Sequence, residues 1–414
     1  MWPYLTLCCR QLLLLSLLLY TARAGWRQVG SDLDGQAAND YAGTSVAIST
    51  DGLRIAVGYP GSDGNGAEAG RVRVFDWSSS ADDWQQVGQS IDSEAAGDIS
   101  GFSLDLSSSG HRIAIGAISN GGAGVDAGHV RVFALAGGSW VQMGGDMDGV
   151  SPGDAFGFSV ALSSDGDRVA VGAPYNDASS VSAGQVRVFR YSSSVWSQVG
   201  ENINGLATQA LAGAAVALSG DGSRVVVGAP GARETTIGYV SVYDYLSLSW
   251  TLAGNHIYGV NAGDFFGSTI SLSRVGLVLA VGARNHNGGN GQYSGQARVY
   301  EYDLGEWGQM GGDIYGAVPN DNCGTAIDLS NDGYMLAVGS PGYFGSAVAS
   351  GRVRVFTYRD NDDEWDQIEG DIYGEAANDG FGAAVRLSGD GEYVAIGALD
   401  NDGAGTAAGH ARVL

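Results

Sequence analysis

Lysine is missing from this 414-residue chain: all 21 basic residues are arginine, set against 45 acids for a net charge of −24. A field of that sign excludes nucleic acid and anionic membrane as favoured partners and suits solubility or cationic ones. Cysteine is nearly missing too. Cys8 and Cys9 precede an apolar run near the start and Cys323 stands alone beyond it, so no intramolecular disulfide is expected and stability has to come from packing. No Asn-x-Ser/Thr occurs, which removes N-glycosylation. The one long apolar run is Leu12 to Leu19, after Arg10 and ahead of Ala22-Arg23-Ala24 and Gly25. It reads as a cleaved secretory signal peptide over 1–24, with the domain proper at 25–414 in an extracellular setting, secreted or at the cell surface. The run is short for a span, and membrane association is expected only if it stays uncleaved. Apolar spacing at i, i+3, i+4, i+7 is absent after it, which argues against helices.

What the chain has instead is repetition. Trp26, Trp84, Trp140, Trp196, Trp250, Trp307 and Trp365 recur at spacings of 54 to 58 residues, followed by stretches such as Gln86-Val87-Gly88 and Gln198-Val199-Gly200. Between them return a Gly-x-Ser-Val-Ala-like run, a Ser-x-Asp-Gly turn, an Arg-Val-Ala-Val-Gly-Ala-Pro-like run, a Gly-, Asn- and Ala-containing loop and a Gly-x-Val-Arg-Val-Phe run. A unit of this size cannot bury its apolar face alone, so the seven are expected to stack.

The third repeat shows the unit best. Phe156 to Ser163 alternates, Ser164-Asp165-Gly166 supplies a tight turn and Arg168 to Ala173 is β-branched, which together read as an antiparallel hairpin. Gly184 to Phe189 and Trp196 to Gly200 add a third and a fourth strand. Seven four-stranded units predict an all-β, seven-bladed β-propeller. The chain opens on a fourth-strand sequence, Trp26 to Gly30, and its last repeat stops at a third strand, His410 to Leu414. The amino-terminal strand is therefore expected to complete the last blade and remove both free edges.

Phe156-Gly157 followed by Gly172-Ala173-Pro174 resembles the FG-GAP repeat of the integrin α-chain amino-terminal propeller and of other secreted propellers. Gly228-Ala229-Pro230, Gly58-Tyr59-Pro60, Gly339-Ser340-Pro341, Phe266-Gly267 and Phe381-Gly382 are variants in other blades. The resemblance implies a propeller over nearly all of 26–414; for function it implies little, because the repeat serves adhesion, carbohydrate-associated and enzyme-associated proteins alike. Integrin-type blades also carry an Asp-x-Asp-x-Asp-Gly-like calcium loop. Here the corresponding turn is only Ser-x-Asp-Gly, too short for the six to eight oxygens calcium takes. No cofactor is expected; the places left for calcium are Asp32-Leu33-Asp34-Gly35 with Asp40 and Asp146-Met147-Asp148-Gly149 with Asp154.

Loops joining second to third strands, and fourth strands to the next blade, leave on one face and are the long ones, so recognition is expected there. Asp40, Asp98, Asp154, Asp264, Asp321 and Asp379 recur at one loop position and are expected to brace backbone. The acidic pattern is broken by Arg233, His256, Arg284 and His286 in blades four and five, a candidate site for a carboxylate or sulfate. Along the innermost strands, a position small in Ala47, Ala161, Ala217 and Ser271 becomes Asp105, Asp328 and Arg386. An Asp328–Arg386 ion pair between blades is one account of these and a catalytic carboxylate the other. Gly-x-Ser-x-Gly and His-Glu-x-x-His are absent, and His129 and His410 share a strand-start position that makes them scaffold. Cys323 replaces a packing phenylalanine. The sequence thus leads to a non-enzymatic module binding an extracellular protein or glycan, with a carbohydrate-active propeller enzyme using channel-mouth carboxylates as the alternative.

Overall fold

The computed structural model describes residues 25–231, 236–344 and 350–414, and the expected signal peptide at 1–24 lies outside them. Seven antiparallel sheets are arranged as blades, with innermost strands Val46–Ile48, Ser100–Leu106, Ser159–Leu162, Ala215–Leu218, Phe266–Leu272, Ala326–Leu329 and Ala384–Leu387. The described residues contain no helix, and none long and apolar enough to cross a membrane. In blade three Ser159–Leu162, Arg168–Ala173, Gln185–Ser192 and Val195–Gln198 pair in that order, as the sequence predicts.

The core lies between blades. Each blade-to-blade interface holds a cluster of buried aliphatic and aromatic side chains, and the last joins Ala395, Ala411 and Val413 of blade seven to Val46, Ile55 and Val57 of blade one. The tryptophan period follows from this layering. Indole Nε1 of Trp84, Trp140, Trp196, Trp250, Trp307 and Trp365 donates to a carbonyl of the preceding blade, for example Trp140 to Val87 at 3.0 Å and Trp250 to Val199 at 2.9 Å. The glycine of each Gln-Val-Gly stretch lies under that indole: Gly88 has φ of +71°, and a Cβ there would come within 2.9 Å of Trp140 Cδ1.

The glycines of the Phe-Gly and Gly-Ala-Pro runs have one joint explanation. A Cβ on Gly172 would overlap the carbonyl oxygen of Gly213 in the next blade, and the same contact recurs from Gly58 to Gly101 and from Gly397 to Gly43. The blades approach backbone to backbone at these positions, which only a residue without a side chain permits.

The ring closes twice. Leu33–Asp34 pairs with Ala411 and His410, and Val29 N–H donates to Val413 at 2.9 Å. The closing ladder therefore sits a few residues beyond the expected Trp26 to Gly30. The outer strand of most blades comes in two pieces, as with Asp83–Gln86 and Ile91–Asp92 on Arg71–Ser78. The third strand of blade seven is His410–Val413, which leaves a ladder for the second piece and one bond for the first. At the short-hairpin face a circle of backbone bonds runs Thr50 to Ser108 (3.0 Å), Ser108 to Ser164 (3.0 Å), Ser164 to Gly220 (2.8 Å) and Gly220 to Arg274 (2.7 Å). It continues from Arg274 to Asn331 (2.9 Å) and Asn331 to Gly389 (2.9 Å), and Gly389 returns to Thr50 (2.8 Å). Deleting residues 25–35 exposes the blade-seven edge and the Leu33 pocket, and is expected to cost about 3 to 5 kcal/mol in urea unfolding. A deletion that melts with the parent would show that closure does not hold the ring.

Candidate functional site

The innermost strands present their inner edges to a central channel that widens into two cavities. On the long-loop side a cavity of ≈ 230 Å³ is lined by Ser45, Phe102, Phe158, Ser268, Thr325 and Arg386. On the short-hairpin side, just inside the backbone circle, one of ≈ 170 Å³ is lined by Asp105, Ser271, Arg274, Asp328, Asn331 and Arg386 among others. Arg386 belongs to both and so stands at the neck between them. Phe102 and Phe158 meet at 5.1 Å between ring centres and give the long-loop cavity an aromatic wall.

The carboxylates are placed by strand chemistry. An innermost strand has unpaired N–H groups on its channel edge, and Asp105 accepts one from Leu162 of the next blade at 2.7 Å. Asp328 accepts Leu387 N–H at 2.8 Å on Oδ2 and the Ser271 hydroxyl at 2.8 Å on Oδ1. Both of its oxygens are thereby engaged, and the expected Asp328–Arg386 ion pair does not form. The Arg386 guanidinium donates from Nη1 to Val385 O at 3.3 Å and makes no ion pair among the described residues. Desolvation inside the ring wall pushes Asp105 up to about 6 against the partial compensation of Arg386, Leu162 N–H and Leu106 N–H. Asp328 is raised for the same reason. At the hairpin mouth Arg274 Nη1 reaches Thr50 Oγ1 of blade one at 3.5 Å, across the opening. The cavity therefore combines a carboxyl that exchanges a proton near neutrality with a guanidinium whose donors are mostly uncommitted.

Arg274 and the backbone circle were not singled out from the sequence. The signal is there: blade five reads Ser273-Arg274-Val275-Gly276 where blade three reads Ser163-Ser164-Asp165-Gly166.

The residues expected on the long-loop face take separate places. Arg233 lies outside the described residues. His256 is half-buried, with Nδ1 2.7 Å from Ser241 Oγ and its ring between Tyr239 and Tyr258. Arg284 is exposed and lies over Phe265 at 5.2 Å. His286 is buried, with Nδ1 2.7 Å from Asp264 Oδ2 and its ring stacked on Tyr315. It does for Asp264 what Asn176 does for Asp154 at 2.9 Å, which is a loop brace. No hydrogen bond, ion pair or ring contact links His256, Arg284 and His286 to one another among the described residues.

The repeated aspartates brace backbone as expected: Asp40 accepts Gln36 and Ala37 N–H, Asp154 accepts Val150 and Ser151, and Asp379 accepts Ala376. Asp40 and Asp154 are thus occupied at the two places left for calcium. Cys323 is fully buried, beside Arg354 Nη2 at 3.4 Å.

Residues 148–189 match the FG-GAP repeat. No curated protein sequence matches the chain. Among solved structures it is similar to a provisionally assigned 6-phosphogluconolactonase of Bacteroides uniformis, at 12% identity over 80% of this chain and 86% of that one, with a TM-score of 0.55. A second such protein, from Bacteroides fragilis, gives 13%, 80%, 85% and 0.54 on the same measures. The periplasmic gluconolactonase PpgL of Pseudomonas aeruginosa gives 15%, 80%, 87% and 0.53. At these identities the likeness establishes a shared fold. The names of these similar proteins, two provisional and one assigned as lactonases, run against the expectation of a non-enzymatic interaction module, which is corrected accordingly. With seven four-stranded blades and the repeat matched in the third, the chain is a β-propeller of FG-GAP type.

Proposed function

We propose that the chain is a hydrolase whose active site is the central channel and whose substrate is a small sugar-derived lactone. The observation that carries this reading is that Asp105, raised to about 6, shares one cavity with an Arg386 that makes no direct ion pair among the described residues. A carboxylate with that affinity is matched to general-base work near neutral pH. Asp105 takes a proton from water as the oxygen adds to the lactone carbonyl. Arg386 donates to the carbonyl oxygen as it gains charge, where fixed donors lower the barrier most. The ring C–O bond then breaks, the Asp105 carboxylic acid returns the proton to the leaving alkoxide, and a hydroxy acid results. Asp328, tied to Ser271 and Leu387, fixes the wall of the cavity and tunes Asp105 by its charge. The lactonase names borne by the similar propellers, the aromatic wall at Phe102 and Phe158 and the small polar cavity support the substrate class. The export-type segment at 1–24 and the lysine-free acidic composition support an extracellular setting.

Release of acid from D-gluconolactone and its 6-phosphate, followed by pH-stat, is expected for the parent. The Arg386→Met variant is expected to lose about 10²- to 10³-fold in kcat/KM with its melting curve unchanged. Absence of hydrolysis across a panel of aldonolactones, or an Arg386→Met variant as active as the parent, would refute the proposal.

A further inference from the structure

Blades two and seven carry the same three chemical groups at the same three positions of the repeat, and the structure uses them differently. In blade seven they are Glu375, His410 and Asp32; in blade two they are Glu94, His129 and Asp146. Each histidine opens the third strand of its blade and is 1% exposed, and each has a buried Nε2 with no hydrogen-bond partner among the described residues.

In blade seven an arginine neutralises the acids. Arg412 binds Asp32 through Nε at 2.8 Å and Nη2 at 2.7 Å, and its Nη2 also contacts Glu375. In blade two the equivalent Arg131 keeps only one long ion pair, Nη1 to Glu94 Oε1 at 3.6 Å, and reaches no oxygen of Asp146: Nη2 donates to Asp92 O at 2.9 Å and the guanidinium lies over Phe133 at 5.3 Å. Asp146 makes no ion pair among the described residues and accepts from Gln142 Nε2 on Oδ1 at 2.6 Å. A ring nitrogen of His129 and one carboxylate oxygen each from Glu94 and Asp146 lie within 4.8 Å of one another.

We propose that Glu94, His129 and Asp146 form a site for a divalent transition-metal ion, Zn²⁺ or an ion of similar preference, on the long-loop rim where blade one passes into blade two. One imidazole with two carboxylates is a donor set such ions accept, with water completing the shell. Ligand atoms around a tetrahedral ion stand roughly 3.3 to 3.5 Å apart for bonds near 2.1 Å. Glu94 and Asp146 are exposed, and closing about 1 Å toward the fixed imidazole, with Glu94 giving up its long contact to Arg131, is in the range of ordinary side-chain adjustment. The ion would clamp the loop bearing Glu94 to the outer strand beginning at Met147, away from the channel.

The test is titration calorimetry and thermal shift of the full chain, free of affinity tags, with ZnCl₂ in a non-chelating buffer. One site of micromolar or tighter affinity and a rise in melting temperature are expected. Asp146→Asn is expected to weaken binding by roughly tenfold or more. Asp32→Asn, which alters the arginine-filled counterpart in blade seven, is expected to leave Zn²⁺ affinity unchanged. Glu94→Gln gives a second reading on an exposed ligand should Asp146→Asn fold poorly. No saturable site, or equal affinity in Asp146→Asn and Glu94→Gln, would overturn the proposal.

Discussion

The Asp105→Asn variant is expected to lose about 10²- to 10⁴-fold in kcat/KM while gaining stability above pH 6. The loss follows from removing the base. The gain follows from linkage: the folded state holds a proton on Asp105 up to about pH 6, whereas the unfolded chain releases it near the ordinary value of 3.8. Between those values the folded form binds more protons, so parent stability falls as pH rises through the window and stays lower above it. Asn retains an acceptor for Leu162 N–H and carries no charge to desolvate. The difference is expected to reach about 1 to 2 kcal/mol after allowing for screening by channel water, and to vanish near pH 4. Thermal melts of both proteins at pH 4 and pH 8 check it, and a variant equally shifted at both values would show that Asp105 is not desolvated. In the parent, kcat/KM should rise with pH through about 6, as the base loses its proton.

The second large effect is expected from a single methyl group. Gly397→Ala places a Cβ against the carbonyl of Gly43, backbone on backbone at the junction of blades seven and one. Neither partner is a side chain able to swing away, so relief requires the two blades to part. The interface they share includes Val46, Ile55, Ala395 and Val413. A cost of about 3 kcal/mol or more is expected, at the severe end for a point substitution. An alanine at Gly121, where a Cβ meets nothing within 4 Å, is the control. Urea unfolding of the two variants separates them, and equal midpoints would mean that the blades are not in the close contact described.

The fold was legible because strand alternation is written into local sequence in all seven repeats, and five of them add an Asp-Gly turn. The close approaches were not, because they pair residues from different repeats: Phe-Gly in one blade and Gly-Ala-Pro in its neighbour explain each other only once the blades are side by side. The channel residues were half legible. Asp105, Asp328 and Arg386 stand out against Ala47, Ala161 and Ala217, but which groups pair depends on strand-edge donors such as Leu162 and Leu387 N–H that no side-chain pattern shows. His286 illustrates the opposite error. It looks singular in sequence, yet its bond to Asp264 repeats what Asn176 does for Asp154 with a different side chain. Arg274 is inconspicuous in sequence because loop length points to the opposite face, while the narrow mouth is built from the shortest turns.

The channel as the place of chemistry is tested most directly by diffraction from crystals soaked in the hydrolysis product, D-gluconate. Difference density is predicted in the channel, with the carboxylate on Arg386 and a hydroxyl toward Asp105. Gluconate bound instead over blades four and five beside Arg284, with the channel holding only solvent, would contradict the account.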